Sequence, residues 1–109
     1  MTIKLNKIYP SAFVYKIHYK DMKPYIGICG RPVALHKRFS EHKSHNGSNV
    51  TRLHQQSKIL FDEALKNNEL PTIEYLEQCE NILGSELLRK EALYSIEYSS
   101  INSYSSKHF

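Results

Sequence analysis

Ser11-Ala12-Phe13-Val14-Tyr15-Lys16-Ile17-His18-Tyr19, then a break at Lys20-Asp21-Met22-Lys23, then Pro24-Tyr25-Ile26-Gly27-Ile28: this stretch decides the fold. In the first run Phe13, Tyr15, Ile17 and Tyr19 fall on one face, and Ala12, Val14, Lys16 and His18 on the other. Alternation with period two, carried by aromatic and β-branched side chains, predicts a strand. The second run is extended as well, so the pair predicts a β-hairpin.

Outward from the hairpin, Gly30-Arg31-Pro32 closes the second strand, and Pro32 suits the first turn of a helix. The spacing predicts that helix over residues 33–43, with Leu35 and Phe39 on its buried side. Arg38 and His42, four apart, share a neighbouring face. Residues 44–49 form a polar, Gly-containing loop. A second helix is expected over 51–66, with Leu53, Leu60, Phe61, Ala64 and Leu65 as its apolar stripe. Residues 72–77 alternate again, giving a third strand with Ile73 and Tyr75 on one face. Ser85 is a candidate N-cap for a third helix reaching Tyr98. The order β-β-α-α-β-α implies a single small α/β domain over residues 1–109.

A chain of 109 residues can bury one core. It contains no apolar run near the roughly 18 residues that cross a bilayer, and its first ten residues mix lysines with isolated apolar positions. A soluble, cytoplasmic protein is the expectation. Cys29 and Cys79 have no CxxC partner and read as free thiols. Charge is uneven along the chain. Residues 1–58 carry eleven Lys and Arg against Asp21 and Glu41, a balance of +9; residues 59–109 carry four against nine acids, a balance of −5. A basic half interleaved with tyrosines suits a polyanion, although a solvated basic surface reads the same way.

Glu91 is the most informative single position. Leu87 and Leu88 lie four and three residues before it and Tyr94 three after, which puts a carboxylate beside or within the apolar stripe of the third helix. Such a group needs a cation or a metal. A salt bridge to Arg89 or Lys90, or a place on the stripe's solvated edge, is the other reading, and spacing alone favours it. Arg38 has a planar donor fork that suits a phosphate, and it follows a hairpin carrying two tyrosines. His42 and His45, with Cys29, lack a fourth ligand at zinc spacing.

Taken together, these segments resemble a known family. Phe13-Val14-Tyr15 followed by Tyr25-Ile26-Gly27 resembles the two tripeptides that name the GIY-YIG nucleases, with Phe13 and Val14 replacing Gly and Ile. Leu35-His36-Lys37-Arg38-Phe39-Ser40-Glu41-His42 is similar to that family's first helix. Residues 57–65 resemble its second. Arg89-Lys90-Glu91-Ala92-Leu93-Tyr94-Ser95-Ile96 resembles the helix bearing its metal-binding glutamate. Asn102 stands near the family's asparagine, but the ending Ser103-Tyr104-Ser105 departs from the family's pattern. The resemblance spans about residues 12–104.

It implies a three-stranded antiparallel sheet flanked by helices, and a metal-dependent endonuclease acting on nucleic acid, DNA ahead of RNA. Tyr15, Tyr25, Arg38 and Glu91 would be the catalytic set, with Glu91 holding one Mg²⁺ or Mn²⁺, a hard ion that prefers oxygen. Tyr15 is the first choice as base, and a nearby cation would have to lower its pKa from about 10. Lys37, His42, His45 and Asn102 are candidate substrate contacts. Specificity would come from loops, a homodimer or a partner protein. A catalytically inactive binding module of the same fold is the alternative, against which the retention of all four residues counts.

Overall fold

β1 (Ile8–His18) and β2 (Tyr25–Cys29) pair antiparallel, with Tyr15 opposite Gly27 and Ile17 opposite Tyr25. The computed structural model describes residues 3–44 and 52–101, and among these the side chains of residues 3–43 and 57–101. β3 (Thr72–Leu83) adds antiparallel to the other side of β1, so the sheet order is β2-β1-β3. Helices α1 (Leu35–Ser44) and α2 (Arg52–Lys66) lie between β2 and β3 in sequence, and α3 (Gly84–Glu97) follows β3. The small α/β architecture and its β-β-α-α-β-α order are those expected from the sequence.

β1 is buried on both faces because helices cover both. Phe13, Tyr15, Ile17 and Tyr19 pack with Tyr25, Leu60, Phe61 and Ala64, against which Leu35 and Phe39 of α1 also rest. Ala12 and Val14 pack on the opposite face with Ile26, Ile28, Cys79 and Leu87, joined by Leu88 and Tyr94 of α3. Val14, Tyr15, Ile17, Tyr25 and Ile26 are wholly inaccessible. At about 1.5–3 kcal/mol per buried large apolar side chain, this hairpin is the stabilising centre of the domain.

Four local expectations need correction. β3 runs six residues beyond residue 77. Its alternation is hidden by a bulge: Val14 faces Glu77 but Tyr15 faces Tyr75, leaving Leu76 as the extra residue. Ile73 still packs on the α1/α2 side, whereas Leu76 packs on the α3 side. α1 begins at Leu35, because Val33 N–H donates to the Arg31 carbonyl at 2.8 Å in a tight turn around Pro32. The Ala34 carbonyl then accepts from Lys37 and Arg38. On α2, Leu65 is exposed and Ser57 is buried in its stead, while the Leu53 side chain lies outside the described residues.

The fourth correction concerns the start of α3. Ser85 is exposed and does not cap it; Leu83 holds the N-cap position without a side-chain bond. The orphan donors of the first turn go to backbone instead: Gly84 N–H to the Lys7 carbonyl at 2.8 Å and Ser85 N–H to the Leu5 carbonyl at 3.2 Å. A Cβ on Gly84 would sit 1.9 Å from the Lys4 carbonyl oxygen, so only glycine admits this approach. Among the described residues, no helix is long and apolar enough to cross a membrane.

Gly27 is the second position that requires glycine. A Cβ there would lie 2.4 Å from Cζ and the hydroxyl oxygen of Tyr15. Gly27→Ala is expected to push the phenol aside and to cost about 1–3 kcal/mol as overpacking. A urea melt should show the loss as a lower midpoint with an unchanged slope; an unaltered midpoint would mean the ring is not held against this strand.

Candidate active site

Arg38 and His42 sit one turn apart on α1, which crosses the sheet face that carries Tyr15 and Tyr25. Both reach the same atom. Arg38 Nε donates to the Tyr15 hydroxyl oxygen at 3.1 Å, and His42 Nε2 lies 2.6 Å from that oxygen. The other ring nitrogen of His42, Nδ1, is 3.0 Å from Ser57 Oγ on α2. Tyr25 completes the cluster by ring packing, its centroid 6.4 Å from that of Tyr15 and 5.4 Å from the imidazole. Arg38 extends the network outward, since one of its terminal nitrogens meets Glu41 Oε1 at 3.0 Å. Arg31 donates to the two oxygens of the same carboxylate at 2.7 and 2.9 Å.

The electrostatics follow from depth. Tyr15 is wholly buried, and that burial raises its phenol well above the ordinary value, with Arg38 pulling the other way. Burial also works against the charge on Arg38, but Tyr15 and Glu41 outweigh it and hold the guanidinium firmly protonated. Glu41 is likewise opposed by burial yet held below the usual carboxylate range by its bonds to Arg31 and Arg38. At neutral pH the cluster is therefore a neutral phenol between a permanent cation and an imidazole.

Glu91 stands within the buried stripe of α3, between Leu87 and Ser95, and is 6% exposed. Burial pushes its carboxyl up to about 7, and its charge, when present, works against ionisation of Tyr15. Neither neighbour on the helix serves as a counter-ion: Lys90 Nζ pairs with Glu77 at 2.7 Å, and Arg89 is exposed. No ion pair or hydrogen bond to Glu91 is present among the described residues. A buried carboxylate without a cation is the donor chemistry that suits one hard divalent ion retaining most of its waters, so Glu91 fits the metal that the family resemblance implies. A cluster of three or more His, Cys, Asp or Glu is not found among the described residues. A single carboxylate with water ligands does not require one.

The expected residues divide into three groups. Tyr15, Tyr25, Arg38 and His42 are brought together, whereas Glu91 stands on α3, which packs on the opposite face of the sheet, and no hydrogen bond among the described residues joins it to them. His42, expected at the substrate surface, is instead 2% exposed, with both ring nitrogens engaged by Tyr15 and Ser57. Lys37 is exposed on α1 beside Arg38, and His45 and Asn102 lie outside the described residues. Ser57, Glu41 and Arg31 were not expected. Ser57 left one trace in the sequence, a small polar residue three and four positions before Leu60 and Phe61. Glu41 left another, three residues after Arg38. Arg31 left none, because its contact depends on how the β2–α1 turn folds back.

The charge asymmetry along the chain is only partly offset in space, by three lysines of the first half that meet acids of the second. β1 pairs with β3, so Lys16 meets Glu74 at 3.1 Å and Lys20 meets Glu69 at 3.6 Å. Arg31 and Arg38 share Glu41, and Lys58 pairs with Asp62. Compared with known proteins, the chain matches no family model, no curated protein and no solved structure.

The Glu91 carboxyl gives a pH-dependent test of its surroundings. Raised from 4.5 to about 7 by folding, it favours the folded state below pH 4.5, and this contribution is lost as pH rises through 7. The ionised form is penalised by on the order of 3 kcal/mol. In metal-free buffer, Glu91→Gln should therefore melt several degrees above the parent at pH 8. The two curves should converge only below about pH 4, where Glu91 is neutral in the folded and the unfolded chain alike. A gap that does not depend on pH would place a cation beside Glu91.

Proposed function

We propose that the chain is a metal-dependent endonuclease that hydrolyses phosphodiester bonds in nucleic acid, with DNA ahead of RNA as substrate. The observation that carries the reading is the Tyr15 hydroxyl held between Arg38 Nε and His42 Nε2. Glu91, buried with no ion pair or hydrogen bond among the described residues, adds to it, as does the order of segments that resembles the GIY-YIG family. A phenol wired to both a cation and an imidazole is an acid–base device, and simple packing of a core tyrosine does not call for it.

In this reading Glu91 holds Mg²⁺ or Mn²⁺, which when bound supplies Lewis-acid stabilisation of charge on the phosphate. The remaining steps belong to the chain's own groups. Tyr15 passes its proton to His42 Nε2, and the resulting phenolate accepts a proton from the attacking water. His42 Nδ1–H donates to Ser57 as the imidazolium forms. Arg38 keeps its Nε bond to Tyr15, lowering the cost of the phenolate, and turns its terminal nitrogens from Glu41 to a non-bridging phosphate oxygen. Water oxygen bonds to phosphorus as the sugar oxygen leaves, and the leaving oxygen takes a proton from solvent.

Burial of Tyr15 sets a condition on this scheme. Arg38 covers the phenol in the structure as it stands, so substrate must swing its terminal nitrogens off Glu41, with Nε still on Tyr15, before water reaches the phenol. That same burial favours the second reading, a catalytically inactive nucleic-acid-binding module. The free thiols Cys29 and Cys79 fit a cytoplasmic setting, which we include in the proposal.

Cleavage of labelled oligonucleotides separates the two readings. Chelator should abolish cutting, and Mg²⁺ or Mn²⁺ should restore it. Tyr15→Phe keeps the ring and removes the hydroxyl, and should slow single-turnover cleavage by roughly a hundredfold or more, with binding retained. Arg38→Ala should lose a similar factor as a transition-state donor. A parent protein that binds but never cuts with either ion would leave the inactive module standing.

A further inference from the structure

An open groove of about 680 Å³ adjoins the Arg38–Tyr15 cluster, formed where the β2–α1 turn faces β1 and β3. Arg31, Val33, Phe13, Tyr75, Gln78 and Glu80 line it. Its volume falls within the range of roughly 300–1,000 Å³ typical of small-ligand sites.

Two side chains tie this groove to the cluster. Phe13 has its ring centroid 5.8 Å from Tyr15 on one side and 5.3 Å from Tyr75 on the other, the latter edge to face. Arg31 shares the Glu41 carboxylate with Arg38. Tyr75 is 41% exposed although it is a large aromatic on the helix-covered side of the sheet. Packed edge to face with Phe13, it offers a fixed ring to whatever enters. Arg31 and Glu41 remain partly open to water, so exchanging that carboxylate for a phosphate costs little.

We propose that the groove is a nucleotide subsite in which Tyr75 stacks on one base and Arg31 takes the adjoining phosphate. Gln78 and Glu80 stand where the edge of that base would lie. The polymer's identity rests on the nuclease reading above; the subsite adds the substrate class. A base on Tyr75 has left its duplex stack, so the strand bound here is single-stranded or locally unpaired. Stacking of this kind tolerates any base, because each presents a π face.

The chain contains no tryptophan, so Tyr75→Trp places a sole indole fluorophore in the groove. Titration in metal-free, low-salt buffer should quench that indole with a single-stranded oligonucleotide. An abasic strand of equal length and charge, and an intact duplex, should not quench it. Tyr75→Leu keeps an apolar contact with Phe13 and should weaken binding of the base-bearing strand roughly fivefold to a hundredfold. Its binding of the abasic strand should match the parent's. Equal quenching by base-bearing and abasic strands, quenching by duplex, or an unaltered Kd in Tyr75→Leu would overturn the subsite alone. Failure of the parent protein to bind any of the three nucleic acids would overturn the subsite together with the nuclease reading.

Discussion

The close approach of the Tyr15 ring to the backbone of Gly27 is the constraint on which the rest of the site depends. Tyr15 and Gly27 are direct partners across the β1–β2 pair, and the missing side chain on Gly27 is the space the phenol fills. This fixes where the hydroxyl ends, and the hydroxyl in turn fixes α1. Arg38 and His42, one turn apart, can both reach a single oxygen only if the helix crosses the sheet at that depth. Ser57 then orients the imidazole from α2. A polar cluster buried in this way is stable because its members satisfy one another. Displacing the ring by an ångström would leave several donors and acceptors unmatched at once.

Much of this was legible in the sequence because it rests on periodicity. The alternation around Tyr15 put it on one face with Phe13, Ile17 and Tyr19, and the four-residue spacing of Arg38 and His42 gave them a shared direction. Glu91 fell among leucines on a helical pattern, and the fold buries it there. What the sequence concealed depends on contacts between segments. The bulge at Leu76 reversed the faces of β3 and broke its pattern. Leu65 looked like part of the α2 stripe because it is apolar, whereas Ser57 takes the buried place because His42 needs a partner there. The cap of α3 is hidden because local chemistry points to Ser85, while the acceptors for the first turn are the Leu5 and Lys7 carbonyls.

Charge gives a second instance of the same principle. Read along the chain, the first half is strongly basic; folded, Lys16 of β1 and Lys20 just beyond it meet glutamates of the second half. The field available to a polyanion is therefore set by a few positions. Lys37 and Lys43 on α1 are exposed, and no ion pair to either is present among the described residues. The paired arginines around Glu41 form a reserve of positive charge that only a competing anion can draw on.

The seating of α3 on the Leu5 and Lys7 carbonyls has a consequence for the order of assembly. The helix carrying Glu91 is the last of the described elements, and the backbone that satisfies its first turn precedes the first strand. Contacts joining such distant segments carry a large loop-closure cost and form late. A growing chain could pair β1 with β2 and lay α1 and α2 across them well before α3 emerges. The Tyr15–Arg38–His42 cluster would then exist while its acidic counterpart was still unmade. Glu91 therefore reaches its buried place only when the two distant segments meet.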